Sequence, residues 1–358
     1  MKLVSLLHRW TGGLIGLLLA LLGLSGAILV WEAAWVQVRG ASDPVSENIA
    51  VMGAISDRAI ANGAIRITFA SDEIGLHHAA GDGGAGTYFK QDGTIASQWN
   101  SQWDRPEFLL FDFHHRLFAG ESGEAITGIA GIAGLLFVVT GVILWWRSRR
   151  AFELRLLPRN AQPGPIVRHH RDLGIIVAPL LLVSLITGIG MIYGDFARAV
   201  TGASKAQTPP RNASTAASIV SPTLMLQAAK TRFPDAAVRR LSVPTKPGAA
   251  YSVRLRQPGE WTPNGRTTVY FDRSGQFIRA DDARAGSKGD FLLEKLYPVH
   301  TGKVGGPTWK IAMTVSGLAL FMLGSFAVYS FWLRKANGRR KKHLARRDRA
   351  SQHFVRFS

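Results

Sequence analysis

Four stretches of the chain are apolar from end to end: Leu14–Trp31, Ile126–Trp146, Leu173–Tyr193 and Ile311–Trp332, of 18, 21, 21 and 22 residues. A helix rises ~1.5 Å per residue and needs about 20 apolar residues to cross ~30 Å of hydrocarbon, so each stretch predicts a membrane-spanning helix. The first raises the question of a signal peptide. It exceeds a usual h-region, however, no clean A-x-A site follows it, and Trp31 and Trp35 suit an interfacial belt. We read it as an uncleaved first helix.

Between the apolar stretches the period changes. In the second long polar segment, Ser221–Phe233 predicts a helix, with Ser221 as N-cap, Pro222 in the first turn, and Leu224, Leu226, Ala229 and Phe233 apolar. Alternating strands follow at Val238–Val243, Tyr251–Arg256 and Thr267–Phe271, then a turn at Asp272–Gly275 and a strand at Gln276–Ala280. The first long segment repeats this more weakly. Met52–Asn62 is helix-like, Ile65–Phe69, Gly86–Phe89 and Thr94–Gln98 read as strands, and Gln91-Asp92-Gly93 as a turn. Each segment predicts a small α+β domain of one helix against an antiparallel sheet.

The expected fold is therefore membrane α-helical: four transmembrane helices as two pseudo-repeats, with two extracytoplasmic α+β domains. The boundaries run as a first helix with a short N-terminal segment (1–36), an outside domain (37–112), and a second helix with its outside entry (113–147). A connector marked by Pro158, Pro163 and Pro165 follows (148–168), then a third helix (169–194) and a second outside domain (195–296). A fourth helix with its entry (297–334) and a basic tail (335–358) complete the chain.

Charge orients this plan. The net charge of +19 invites a nucleic-acid reading, but seven arginines lie in Arg147–Arg171 and ten Lys/Arg in Arg334–Ser358, beside the apolar stretches. Val36–Glu124 holds six basic and twelve acidic residues. Basic residues concentrate on the cytoplasmic side of membrane proteins, which puts both termini in the cytoplasm and both large loops outside. The tail, with Arg339-Arg340-Lys341-Lys342, reads as a topology signal that meets lipid headgroups; no nucleic-acid partner is expected.

The chemistry lies in the histidines. His8 and His170 each open an H-R-x-x-G motif at the entrance to an apolar stretch. Gly26 and Gly188 each stand eighteen residues after their histidine, preceded by Ser25 and Thr187. The other two apolar stretches are preceded by His114/His115 and by His300. His114 precedes Gly120 by six and Trp146 by thirty-two residues, and His300 precedes Gly306 and Trp332 by the same intervals. That spacing favours His114 over His115, and the motif favours His170 over His169; the second histidine of each doublet stays open.

Neutral imidazole is the usual axial donor to b-type haem. The chain has no cysteine, so thiolate ligation, iron–sulfur clusters and covalent C-x-x-C-H attachment are excluded, and any haem is non-covalent. Alternating helix direction offers two same-side pairs: His8 with His170 (or His169) on the cytoplasmic side, and His114 or His115 with His300 outside. Two b-type haems follow as the expectation. Filling both axial positions with protein side chains favours electron transfer over binding of oxygen or substrate at iron.

Leu7–Gly12, Phe113–Gly123, His170–Gly174 and Tyr297–Gly306 resemble the PepSY-associated transmembrane family, and Ser221–Asp282 resembles a PepSY domain in its helix, Phe-Pro break and strand–turn–strand ending. The resemblance covers nearly the whole chain. It implies PepSY-like outside domains, a bacterial inner-membrane location with periplasmic loops, and a link to iron acquisition. Some members are di-haem reductases of ferric siderophores, which implies an oxidoreductase carrying electrons from a cytoplasmic donor or quinol to a ferric siderophore or other iron chelate. The family also implies the alternative of a haem-free membrane protein whose PepSY-like domains bind or inhibit a peptidase or other partner.

Weaker candidates remain. His77 and His78, beside Gly81–Gly86, read as a surface loop and hairpin rather than a ligand pair. Asp104, Glu107 and Asp112 are too irregularly spaced to support a catalytic carboxylate pair. Glu32 and Asp195 sit at corresponding outer helix ends, where acids are usually solvated. Arg198, Arg239, Arg240, Arg254, Arg256 and Arg266 read either as a solvated sheet face or as an attraction for an anionic chelate or haem propionates.

Overall fold

The computed structural model describes residues 2–155, 157–205, 207–211 and 221–355, with side chains described up to residue 339. Its first element is the helix α1 (Lys2–Leu29), which takes in the first apolar stretch and the H-R-x-x-G motif ahead of it. The first polar segment then gives α2 (Ile49–Ala61), capped by the Asn48 side chain, and four strands: β1 (Ala64–Thr68), β2 (His77–Gly81), β3 (Gly86–Phe89) and β4 (Ile95–Trp99). A helix α3 (Pro106–Arg116) leads to α4 (Gly120–Ser148), and α5 (Pro163–Ile192) carries the third apolar stretch.

The second polar segment supplies α6 (Gly194–Thr201) and α7 (Pro222–Arg232), with Ser221 as N-cap and Pro222 in the first turn as expected. Strands β5 (Ala237–Ser242), β6 (Tyr251–Arg256), β7 (Thr267–Phe271) and β8 (Phe277–Asp281) follow, then α8 (Lys288–Glu294) and α9 (Leu296–His300). The last helix, α10 (Gly306–Val355), holds the fourth apolar stretch and runs on into the basic tail. The side chains of that tail from residue 340 onward lie outside the described residues.

Among the described residues, four helices are long and apolar enough to cross a membrane: Lys2–Leu29, Gly120–Ala151, Pro163–Ile192 and Gly306–Arg339. The chain is a multi-pass membrane protein. It divides into two compact units, one of helices (1–28, 114–189 and 311–358) and one built round the sheet (29–113 and 190–310).

In the helical unit, backbone approaches backbone where α1 meets α10. A Cβ on Gly16 would lie 2.9 Å from the Gly324 carbonyl oxygen, and one on Gly23 would lie 2.6 Å from that of Gly317. The seven-residue spacing of these glycines repeats along one face of each helix, with the buried Ala20 and Ala27 between and beyond them. Membrane helices lack a hydrophobic drive toward one another, so close van der Waals fit over small residues supplies the association. Near the other end of this contact Trp10, Phe331 and Trp332 cluster around the Lys335 ammonium, an arrangement suited to a headgroup region.

In the other unit the two polar segments do not build separate sheets. Their strands form one eight-stranded sheet in the order β4-β3-β2-β1-β5-β6-β7-β8, joined by antiparallel pairing of β1 with β5. The order is symmetric about that seam, each half contributing four antiparallel strands. Ile67 and Leu241, both fully buried, face each other across it. On the core face, alternate residues of the strands pack against Met52, Ile55 and Ala59 of α2 and Met225, Leu226 and Ala229 of α7. The two helices touch closely at Gly53, where a Cβ would fall 1.8 Å from the Thr223 hydroxyl. Separate helix-on-sheet domains were the simpler expectation, but a four-stranded sheet leaves an open edge, and pairing the two edges removes it.

Strand β2 departs from the sequence reading. His77-His78-Ala79-Ala80-Gly81 lacks β-branched residues and suggests a loop, yet it pairs with both β1 and β3. Burial on both sides overrides its weak propensity.

Candidate functional site

His8 lies two turns into α1 and His170 on the second turn of α5. The structure brings them together, with ring centres 6.3 Å apart and planes at 85°. Each ring is held through Nδ1. His170 Nδ1 lies 3.1 Å from the Leu323 carbonyl oxygen, which can only accept, so Nδ1 carries the proton. His8 Nδ1 lies 2.8 Å from Thr140 Oγ1. That hydroxyl also lies 2.7 Å from the Leu136 carbonyl, and when it donates there it accepts from the imidazole. A neutral ring that donates through Nδ1 leaves a bare Nε2 lone pair, the state in which histidine binds metal.

The two histidines line a cavity of about 390 Å³ enclosed by α1, α4, α5 and α10. Its walls are mostly apolar, Phe137, Leu181 and Leu323 among them, and the Phe137 ring meets His8 edge-on at 5.4 Å. Arg9, Arg171 and Arg334 border it. From their places in the sequence all three stand toward the same helix ends. Arg171 is engaged with Asp172 at 2.6 Å.

Two groups of glycines in the helical unit differ in what surrounds them. Gly13, Gly16, Gly23, Gly317 and Gly324 are packing residues, since a Cβ on any of them would collide. Gly12, Gly141 and Gly174, from three different helices, are not. A Cβ there would find its nearest neighbour at 3.7, 3.8 and 3.9 Å respectively, and all three line the cavity. Helix packing does not force glycine at these positions, and their bare backbones leave room inside the cavity.

These features fit haem. Two imidazoles bound coaxially to one metal ion lie about 6 Å apart between ring centres, from bonds of roughly 2 Å and ring nitrogens roughly 1 Å from each centre. The observed 6.3 Å matches. An apolar cavity with cationic groups at one end suits an apolar macrocycle whose carboxylates lie on one edge.

His114, near the end of α3, has a similar support. Its Nδ1 lies 2.9 Å from Ser25 Oγ, which donates to the Leu22 carbonyl at 3.0 Å and so accepts from the ring. A Cβ on Gly26 would stand 2.9 Å from His114 Cε1, so the Ser-Gly pair seen in the sequence is one acceptor and one clearance for this ring. The turn that follows is strained. Leu117 and Phe118 have φ of 50° and 61°, in the left-handed region that non-glycine residues rarely adopt. At Gly123 a side chain would collide with the Arg116 carbonyl.

The other histidines are placed differently. His115 lies 3.8 Å from the Glu124 carboxylate. His169 is 4% exposed, packs edge-on against Phe326, and has neither ring nitrogen hydrogen-bonded. It does not line the cavity. His300 ends α9 in the sheet unit, whereas His114 belongs to the helical unit. Thr140 and the Leu323 carbonyl escaped the sequence reading. Thr140 had a signal, as a lone hydroxyl in the apolar stretch of α4; a backbone carbonyl had none.

His77 and His78 are strand residues, not surface loop. His77 is 2% exposed and its Nδ1 accepts the Ala70 N–H at 3.0 Å. Burial pushes its pKa down to about 4. His78 stacks on Phe108 at 5.1 Å, and burial, with Arg66, Arg105 and Arg240 nearby, pushes it down to about 3. Both stay neutral in the fold while an unfolded chain takes up protons near pH 6.5. The stability they confer is complete above pH 6.5 and declines as pH falls toward 4 and 3. For His77 the full loss is on the order of 3 kcal/mol. Scanning fluorimetry should show the melting temperature falling between pH 6.5 and 4, with a shallower slope in His77→Gln, whose amide oxygen can still accept from Ala70.

Among the acids, Glu107 is 1% exposed, paired with Arg105 at 2.6 Å, and accepts from Tyr88 at 3.3 Å, a structural role. Glu32 is half-buried, which raises its pKa despite the pull of Lys303, while Asp195 is exposed.

Four membrane helices, a sheet unit formed by both polar segments, and histidines set at helix entrances define a membrane protein of the PepSY-associated type. The model of the PepSY-associated TM region matches residues 5–335, nearly the whole chain. The chain belongs to that family. No curated protein matches it closely enough to count as a relative.

Proposed function

We propose that this chain is a haem-b oxidoreductase of a bacterial inner membrane. It takes electrons from a cytoplasmic donor or quinol and delivers them to a ferric siderophore or similar iron chelate in the periplasm. The observation that carries the reading is the His8–His170 pair: two imidazoles at a two-ligand separation, each fixed through Nδ1, facing an apolar cavity with unfilled glycine clefts.

Bound there, haem supplies reversible one-electron exchange at iron. The chain's own residues do the rest. His8 and His170 would hold the iron through their ring nitrogens, and Thr140 and the Leu323 carbonyl would fix ring orientation and strengthen both donors. Arg9, Arg171 and Arg334 would meet the propionates. The second haem of the proposal rests on the sequence spacing of His114 (or His115) and His300. The cytoplasmic placing of both termini rests on the basic connector and tail. One electron per Fe(III) gives Fe(II), which hard oxygen donors hold less tightly, so reduction releases the metal.

In proteoliposomes supplied with a quinol, a ferric hydroxamate chelate should yield Fe(II), scored with a ferrous-specific dye. His170→Ala should fall to the protein-free background. An undiminished rate in that variant would overturn the reading.

A further inference from the structure

The face of the sheet opposite α2 and α7 carries an unbalanced charge. Register places Arg240 directly opposite Arg254, with Thr68 and Thr268 on the outer side of each, and Arg66 lies two residues along β1 from Thr68. The row continues through His78 and Tyr88 of β2 and β3. All belong to the sheet unit. Like charges directly across a strand pair are destabilising, and sheets usually answer them with a carboxylate. Among the described residues no carboxylate forms an ion pair with Arg66, Arg240 or Arg254, although Glu107 and Asp281 pair with other arginines nearby in sequence.

Arg240 stands out within this group. It is half-buried, and its Nε is shielded from solvent with no hydrogen-bond partner. Burial first, then Arg254 and Arg66, bring its pKa down to about 10, so it remains a cation at neutral pH. Arg254 is shifted in the same direction, by burial and by Arg266. A guanidinium held out of water with a free N–H, beside a second and a third, is a fork without its acceptor.

We infer that Arg66, Arg240 and Arg254 form a binding site for a small polycarboxylate, the paired acid oxygens of the ligand replacing the carboxylates that the sheet lacks. The Thr68 hydroxyl flanks the pair and suits a remaining oxygen of the ligand, whereas Thr268 Oγ1 is engaged with the Arg266 carbonyl at 3.2 Å. This site is independent of the histidines and does not require haem. Phosphate oxygens of an anionic lipid headgroup share the chemistry, so the test must separate the two sources.

Citrate is the probe. Full-length protein in nanodiscs of zwitterionic lipid should bind it in isothermal titration, more weakly as salt rises, and should not bind its neutral triethyl ester. Loss of one charge-assisted contact should raise Kd about 10–100-fold in Arg240→Gln and in Arg254→Gln. A smaller rise is expected in the exposed Arg66→Gln. The same variants have a second readout. Relief of like-charge repulsion should leave ligand-free Arg254→Gln melting at or above the wild-type temperature, while citrate should raise the melting temperature of the wild type more than that of Arg240→Gln or Arg254→Gln. Absence of citrate binding to the wild type, equal binding by the variants, or a lowered melting temperature in Arg254→Gln would overturn the site. So would loss of citrate binding on exchange to phosphatidylglycerol nanodiscs at constant ionic strength, which would assign the arginines to lipid headgroups.

Discussion

Replacing His170 with alanine is expected to remove one haem from the purified protein and to leave its fold intact. His8→Ala has the same effect, because either change leaves a single imidazole in the cavity and a six-coordinate low-spin site can no longer form. His169→Ala and His77→Ala keep full haem content. The former ring lies outside the cavity, and the latter serves as a backbone acceptor in the sheet unit. Thr140→Val separates positioning from ligation. It leaves both axial nitrogens but removes the acceptor at 2.8 Å from His8 Nδ1, and a lost partner of that kind weakens metal affinity about 10–100-fold. Haem titration of the apoprotein, with the reduction potential of what is retained, reads this out. An unchanged affinity and potential would mean that the hydroxyl does not orient the ligand.

Gly23→Leu is expected to prevent the helical unit from assembling, whereas Gly141→Leu should assemble but bind less haem in the cavity lined by His8 and His170. At Gly23 the first added carbon would stand 2.6 Å from the Gly317 carbonyl oxygen, which is backbone and cannot rotate aside. Overpacking a well-fitted interior commonly costs about 1–3 kcal/mol, and here the clash is between two helix backbones, so the upper end or beyond applies. The expected signs are loss of a monodisperse peak in detergent and a large fall in melting temperature. At Gly141 the first added carbon meets nothing nearer than 3.8 Å, and the rest of the leucine projects into the cavity beside His8. That variant should elute and melt like the wild type but carry less haem. If both variants collapsed alike, the glycines of the cavity would be packing residues and their bearing on a cofactor would be lost.

Much of this arrangement is legible in the sequence alone. The apolar stretches predict all four membrane helices because length and hydropathy act locally. The strands of the second polar segment alternate clearly, and Tyr251–Arg256 and Thr267–Phe271 fall where expected. The recurrence of Ser25-Gly26 after His8 marked a real constraint, but its object is His114, on a different helix, which spacing within α1 cannot reveal. Strand β2 was missed because His-His-Ala-Ala-Gly has no local preference for a strand and is fixed by neighbours on both sides. The seam between β1 and β5 pairs residues more than 170 positions apart, so no local pattern announces a single sheet. Arginine opposite arginine is likewise a matter of register; the sequence shows the charges but not that they share a face.

Absorption spectroscopy of the purified full-length protein, oxidised and dithionite-reduced, with pyridine-haemochrome stoichiometry, is the most direct measurement. A six-coordinate low-spin b-type spectrum is expected, with about two haems per chain, each taking two imidazole donors. Protein purified haem-free from cells with ample haem, or a spectrum unchanged by His8→Ala and His170→Ala together, would contradict the assignment of the cavity to haem.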